Sequence, residues 1–304
     1  MALNKLHKKD FTIAVKTGTD ANKTKFKKEC VQGEMYFATD TKKLYVAETT
    51  AGLSDATLSH FTPSSAYTNA YSVSFPGTNE YMSIPDADVW SLGDGAGTDN
   101  PISFSLWFNS ASISTTYLIT KEVDTTSNDR EWVFRTISGK LYFFARGTGG
   151  GVIGRYYNTA LNSSQWYHTV VTYDGSKASS GLKIYLDGSR VDDNDYSSGG
   201  YGSARNGNAE VRVAGYELTG AVSNCLIDEV ALFNTELSAS DVASLRDTSG
   251  SNPAPADISS LSPVGWWRMG DNDNGAGGTI TDQGSGSNNG VLHNTPIFSS
   301  NVPS

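Results

Sequence analysis

The stretch ISFSLWFN, Ile102–Asn109, alternates with a period of two. Ile102, Phe104, Leu106 and Phe108 fall on one face, and Ser103, Ser105 and Trp107 on the other. Only an extended strand puts alternate residues on one side, so this segment buries its apolar face within a sheet. The rhythm recurs along the chain. EWVFRTISGKLYFFAR (Glu131–Arg146) reads as two strands around Ser138-Gly139, and KIYLDGSRV (Lys183–Val191) sets Asp187-Gly188 between two more. Asp-Gly at that position is among the strongest short hairpin signals, because the turn needs positive φ at both residues. There is no βαβ alternation and no internal repeat. Strands at this spacing, with turn residues between them, predict an all-β sandwich or barrel. Abundant Gly and Ser and only 18% charged residues agree with a turn-rich chain. No run of eighteen apolar residues occurs, so no membrane-spanning helix and no membrane insertion are expected.

The first sixty residues read as a separate unit, 1–62, ahead of a sandwich over 63–304. Residues 1–43 hold ten lysines against five acids, whereas the remainder holds 13 basic residues against 27 acidic ones. Such a split predicts a basic segment that docks on an acidic surface. Nucleic acid is not the expected partner, since no arginine cluster or RNA-binding aromatic motif accompanies the lysines. QGEMYFATDTKKLYVAET (Gln32–Thr49) predicts two strands, Glu34–Thr39 and Lys43–Glu48, joined by a polar turn. A lone hairpin is marginal in water, so this unit needs neighbouring strands or a partner chain. The opening MALNKLHKKDFTIAV has charge but no apolar core of a secretory signal. Cys30 and Cys225 are expected as two free thiols of a protein made in a reducing cytoplasm.

Five segments follow one another in order: AYSVSFPGTNEYMSIPD (Ala70–Asp86), ISFSLWFNS (Ile102–Ser110), QWYHTVVTYDGS (Gln165–Ser176), LKIYLDGSRV (Leu182–Val191) and CLIDEVALFNTELSASDVASL (Cys225–Leu245). Together they resemble the laminin-G-like, concanavalin-A-like jelly roll. The resemblance implies a strand Ile227–Leu232 that closes the sandwich and leads into a short helix. Read by alternation, Ile227, Glu229 and Ala231 face one way and Asp228, Val230 and Leu232 the other. Ser238 is placed as helix N-cap with Asp241 in the first turn, and Val242 and Leu245 as the residues that pack back. After a Pro/Ser-rich connector, 247–263, the segment Val264–Asn294 looks like the one that normally opens such jelly rolls. Here it comes last, so the domain is expected to be circularly permuted. Val264–Met269 and Gly290–His293 should then join the sandwich near Ala70–Phe75 and Leu226–Phe233, with Trp266 or Trp267 in its core. Gln32–Thr49 in turn resembles the segment that opens many phage fibre, spike and head-surface proteins. There, the N-terminal part fixes the molecule to the virion.

Hydrolases of this fold carry Glu-x-Asp-x-x-Glu on one strand, where alternate residues share a face and the carboxylates converge. EVDTTS (Glu122–Ser127) has the first two acids, but Ser127 stands where the proton donor belongs. The chain is therefore expected not to be an enzyme. His168 matches a family strand histidine that is packed or hydrogen-bonded. DGSRVDDNDYSSGG and GDNDNGAGG offer hard oxygen ligands on Gly-containing loops, which suits Ca²⁺, and related jelly rolls bind it. The expected ligands are Asp192, Asp195, Asp271 and Asp273. Glycan recognition needs exposed aromatics beside polar groups, and the loops offer Tyr157, Tyr196, Tyr201, Arg205 and Asn206.

These observations converge on a phage virion surface protein, either a capsid decoration or head fibre, or a short tail fibre or spike. Its expected partners are other virion proteins through 1–62, a host-surface glycan and further copies of the same chain. The alternative is a carbohydrate-binding or carbohydrate-processing protein not attached to a virion. A cellular adhesion module is disfavoured by the lack of disulfide spacing.

Overall fold

The computed structural model describes residues 67–123, 129–216, 221–250 and 252–303. Ahead of them it describes five strand segments, 3–8, 11–18, 35–38, 43–47 and 58–61. The chain divides into two compact units, Met1–Tyr67 and Thr68–Ser304.

In the first unit one sheet holds β1 (Leu3–Lys8), β2 (Phe11–Gly18), β3 (Met35–Ala38), β4 (Lys43–Ala47) and β5 (Leu58–Phe61), in that order. Neighbours are antiparallel except β2 and β3, which run parallel. The predicted hairpin is β3–β4, within one residue at each end. It pairs Tyr36 with Tyr45, and both side chains are buried. β2 and β5 flank the hairpin and supply the neighbours it needs in water. Cys30 and the lysines of 23–28 lie outside the described residues.

The second unit is the predicted β-sandwich. Its strands are β6 (Ser72–Pro76), β7 (Tyr81–Ile84), β8 (Ile102–Ser110), β9 (Tyr117–Glu122), β10 (Arg130–Ile137), β11 (Lys140–Arg146) and β12 (Val152–Tyr156). There follow β13 (Trp166–Tyr173), β14 (Leu182–Leu186), β15 (Ser189–Arg190), β16 (Asn194–Asp195), β17 (Val211–Val213), β18 (Gly215–Tyr216) and β19 (Ala221–Val222). The last are β20 (Asn224–Phe233), β21 (Arg246–Asp247), β22 (Ala254–Pro255), β23 (Gly265–Trp267), β24 (Thr279–Ile280), β25 (Gly290–His293) and β26 (Ile297–Ser299). One sheet has nine strands in the order β16-β12-β11-β10-β9-β17-β7-β25-β24. The other has eight, β15-β14-β13-β8-β20-β6-β26, with β23 also paired to β20.

Alternation decides the core. Ile102, Phe104, Leu106 and Phe108 of β8 are all buried, and they meet Trp132, Phe134, Leu141 and Phe143 from β10 and β11. Both predicted two-residue turns have φ positive at each position: Ser138 and Gly139 at 51° and 80°, Asp187 and Gly188 at 50° and 83°. That twist matches the strands they join. Trp107, on the opposite face of β8, is buried as well, beside the His168 ring and beneath the Arg246 guanidinium that follows α1 (Ala239–Ser244). Ser238 caps α1 in a reciprocal capping box with Asp241. Val242 and Leu245 pack back as predicted.

Alternation fails in β20. The β20–β8 register runs Asp228↔Trp107 and then Ala231↔Ser105, so β20 carries one extra residue, a β-bulge. Glu229 takes φ +47° there. The extra residue inverts the parity, and Ile227, Val230 and Leu232 all face the core. The predicted facing of Val230 and Leu232 is thereby corrected.

The tail belongs to the sandwich, as expected. One edge of β20 pairs with β8; the other is shared by β6 over Asn224–Ile227 and by β23 over Val230–Leu232. Without β23, half of that edge would present unpaired N–H and C=O groups. β26 pairs with β6, while Gly290–His293 pairs with β7 in the nine-stranded sheet and not beside β6 as expected. Of the two tryptophans, Trp267 is fully buried, edge-on to Trp90 at 5.8 Å, and its Nε1 donates to Asn288 O at 2.9 Å. Trp267→Ala should lower stability by about 3–5 kcal/mol. A shift of the urea midpoint with unchanged slope would measure this, and a shift below ~1 kcal/mol would place the tail outside the folded core.

Candidate functional site: an aromatic–arginine groove

β10 and β11 pair Arg135 with Tyr142 and Val133 with Phe144. Their inward neighbours Phe134 and Phe143 fill the core, so Val133, Arg135, Tyr142, Phe144 and Arg146 stand on the outer face of the nine-stranded sheet. β12 continues the row, pairing Tyr156 with Tyr142, Gly154 with Phe144 and Val152 with Arg146. The result is a band of rings and guanidiniums where a solvated face would ordinarily carry small polar residues. Tyr142 stacks on Tyr156 at 4.6 Å, and Tyr117 on Tyr216 at 4.5 Å. Phe144 lies between two cations, with Arg135 5.6 Å and Arg146 5.4 Å from its ring centre.

Gly154 makes room for the groove. A Cβ there would come within 2.8 Å of the Phe144 Cβ and 3.2 Å of the Tyr196 Cβ. Tyr196 N donates to Gly154 O at 2.9 Å, which carries the Tyr196 ring over the sheet, 5.5 Å from Phe144 and edge-on to Tyr142 at 5.2 Å. Tyr196 is 38% exposed. Arg135, Phe144, Arg146, Val152, Tyr196 and the Ser197–Ser198 segment, with Asp195 beside it, line an open cavity of about 470 Å³. Its size and its mixture of ring faces, hydroxyls and guanidiniums suit a sugar, which offers C–H faces to rings and hydroxyls to polar groups.

Glu122, the first acid of the motif compared with the hydrolases, stands at the end of this band. Its Oε1 accepts from Arg146 Nε at 2.5 Å, and its Oε2 from Arg146 Nη2 at 3.4 Å and Tyr216 Oη at 2.9 Å. Both oxygens are thus engaged within the chain. Asp124 and Ser127, the rest of that motif, lie outside the described residues.

Of the residues chosen for glycan contact, only Tyr196 lines the groove. Tyr201 turns inward, 8% exposed, and donates to Asp99 Oδ2 at 2.9 Å. Its ring is spent on the core and offers no face to a ligand. Tyr157 packs partly buried against the main core. Arg205 Nε donates to the Gly147 carbonyl at 3.0 Å, and Asn206 bridges Ser91 and Asp88. Sequence reasoning looked for the site in loops and missed Arg135, Tyr142, Phe144 and Arg146. The signal was the outward set of the two alternating strands, aromatic and basic where Ser or Thr would suffice.

The four aspartates chosen for calcium do not fit that ion. Asp192 accepts from Ile184 N, Arg190 and Arg155, and lies beneath two guanidiniums. Burial pushes its carboxyl up, but Arg190, the Ile184 N–H and Arg155 outweigh it and hold it below the ordinary range. Asp195 is held low chiefly by the Ser179 hydroxyl and binds Ser197 N. Asp271 accepts from Ala70 N and Tyr71 N and from Arg268; burial raises it above the usual carboxylate value. Asp273 caps Thr281. Among the described residues no three such side chains gather. These oxygens answer N–H and O–H donors already, and a cation would have to displace them.

His168 is a packed strand histidine. It is 1% exposed, its Nε2 lies 2.9 Å from Ser105 Oγ, and its ring sits 4.9 Å from Trp107. Burial, with Arg246 adding to it, lowers its pKa to about 3.

The family described as the concanavalin A-like lectin/glucanases superfamily matches residues 76–243. The chain belongs to this superfamily. No curated protein matches the sequence. Similar solved structures include the native heptameric SAP-like pentraxin from Limulus polyphemus, 16% identical, covering 62% of this chain and 87% of that one, TM-score 0.42. Domains LG4-5 of the mouse laminin alpha1 chain are 13% identical over 64% of this chain and 48% of that one, TM-score 0.41. The binding domain of Paraclostridial Mosquitocidal Protein 1 is 11% identical over 57% and 50%, TM-score 0.40. This chain thus spans about half of the last two. A superfamily of lectins and hydrolases leaves function to be argued from the site.

Two measurements check the site chemistry. The melting curve should be the same in chelator and in millimolar calcium; a rise in Tm with calcium would restore the metal reading. His168, depressed from 6.5, favours folding while neutral. Its contribution is complete above the unfolded value and is lost as pH falls from 6.5 towards 3. In His168→Gln, the slope of unfolding free energy against pH in that window should be smaller by up to one proton, ~1.4 kcal/mol per pH unit. An unchanged slope would mean that His168 is not neutral in the fold.

Proposed function

We propose that the chain is a non-enzymatic adhesion protein of a phage particle, displayed in several copies. The unit over 1–67 attaches it, and the lectin-type jelly roll binds host-surface glycan in the aromatic–arginine groove. The groove carries this reading: exposed Tyr196, the Ser197–Ser198 segment and two guanidiniums meet on an open sheet face, around a cavity of about 470 Å³. Membership of a lectin and glucanase superfamily supports a sugar as ligand. Adhesion is favoured over hydrolysis because Glu122 is engaged by Arg146 and Tyr216. A hydrolase needs one carboxyl free to protonate the leaving group and a second to attack or activate water. Attachment through the first unit is supported by its excess of lysine and by the likeness of Gln32–Thr49 to phage fibre and head-surface segments.

On a glycan array the full chain should bind a restricted set of glycans and release no reducing sugar from them. Tyr196→Ala should weaken that binding about five- to tenfold through loss of ring stacking. A chain beginning at residue 68 should keep glycan binding yet fail to join particles. Turnover of a bound glycan would replace adhesion by hydrolysis, and normal incorporation of the shortened chain would remove the attachment role.

A further inference from the structure

The charges around the groove are unevenly matched. Arg146 is neutralised by Glu122. Asp195 at the rim stands opposite Arg155 in the β12–β16 pairing and is stabilised by its charge. Arg135, which lines the same cavity, has no carboxylate partner among the described residues. Its contacts are the Tyr117 hydroxyl, 3.0 Å from Nη1, and the rings of Tyr117 and Phe144, 5.4 and 5.6 Å from the guanidinium carbon. Its Nε is buried with no hydrogen-bond partner. The two rings fix the guanidinium in place without neutralising it. That Nε is closed to a ligand, but a partly buried guanidinium without a counter-charge is costly, and an anion in the cavity that Arg135 lines supplies one.

The surroundings sharpen that demand. The chain as a whole carries −9, so an uncompensated cation here is a local feature and no consequence of a basic protein. Arg146 spends its charge on Glu122, which leaves Arg135 as the guanidinium of the cavity lining without a carboxylate among the described residues. A ligand with a negative group supplies the missing counter-charge, and a neutral ligand does not.

We infer that the groove takes an acidic glycan, with the ligand's carboxylate or sulfate seated on Arg135 and its sugar ring against Tyr196. The inference rests on the glycan reading of the same groove and adds the chemical class of the sugar. Arg135 lines the cavity, and a guanidinium is the planar donor group that matches a carboxylate or a sulfate. Tyr196 and Ser197–Ser198 supply the faces and hydroxyl partners that a pyranose needs. Arg135 is a binding residue in this scheme, and Arg146 with Glu122 forms the fixed wall beside it.

The test uses the full chain on an array of neutral, uronate-, sialate- and sulfate-bearing glycans. Binding should be confined to the acidic members and should weaken as salt is raised. For the best acidic ligand, the carboxyl-reduced or desulfated counterpart should fail to bind, and which treatment abolishes binding identifies the group. Arg135→Gln should weaken that ligand about 10- to 100-fold, with Arg135→Lys intermediate. An unchanged thermal transition in both variants would show that the fold is intact. Should Arg135→Gln melt early, the reduced or desulfated ligand on wild-type protein decides the matter alone. Equal binding of neutral and acidic members, or undiminished binding after the acid is removed, overturns the acidic assignment and leaves the glycan reading standing. Silence across the whole array overturns both.

Discussion

The sandwich depends on one buried ion pair. Glu229 accepts from Arg268 Nε at 3.0 Å and from Trp266 Nε1 at 2.6 Å. Arg268 in turn reaches the Thr68 carbonyl and Asp271, and Asp271 holds the backbone N–H groups of Ala70 and Tyr71. Asp228, one residue earlier, accepts from Asn69 at 3.0 Å. Burial raises its carboxyl well above the ordinary range, and the neighbouring charge of Glu229 adds to this. The acidic pair of the Ile-Asp-Glu strand is therefore a clasp that joins the start of the jelly roll to segments some two hundred residues later. Charge desolvated this way brings little net stability, but loss of one partner leaves the other buried and alone. That asymmetry penalises any register of β23 on β20, other than the observed Val230 opposite Trp267 and Ala231 opposite Trp266, that would part Glu229 from Arg268.

The bulge at Glu229 is the backbone counterpart of the clasp. A regular strand would turn Glu229 and Ile227 to one face and send Val230 to the other. With one extra residue and φ +47° at Glu229, the apolar side chains on both sides of it reach the core while the acids turn to Trp266, Arg268 and Asn69. A positive φ at a non-glycine residue is strained, and the hydrogen bonds that converge on the two carboxylates hold it.

The two sheets meet solvent differently. On the eight-stranded sheet Arg246 lies above Trp107, and Val242, Leu245 and Ile258 around it in sequence are buried. The outer face of the nine-stranded sheet keeps its own aromatic band, in which Tyr117, Phe144 and Tyr216 are buried largely by one another and by arginine. The groove along Tyr196 opens beside that band. Gly154 matters there for the side chain it lacks.

Much of this fold was legible in the sequence, and the reason is periodicity. Alternation in Ile102–Phe108 put four residues in the core. Asp187-Gly188 and Ser138-Gly139 set their turns through positive φ, and Ser238 with Asp241 set the start of α1. Each of these is a local rule, satisfied within a few residues. What the chain could not announce is which distant groups would meet. Asp192 looked like a metal ligand until Arg155 and Arg190 closed over it, and Tyr201 looked like an exposed ring until Asp99 took its hydroxyl. Gly290–His293 was rightly read as a strand, but its neighbour was decided by the sheet edge that β7 left open. The groove itself draws on β10, β11, β12 and β16, and a period of two says which face a residue takes without saying what stands beside it. Local backbone geometry is written residue by residue, whereas charge pairing, burial and a binding face exist only after strands far apart in sequence have been brought together.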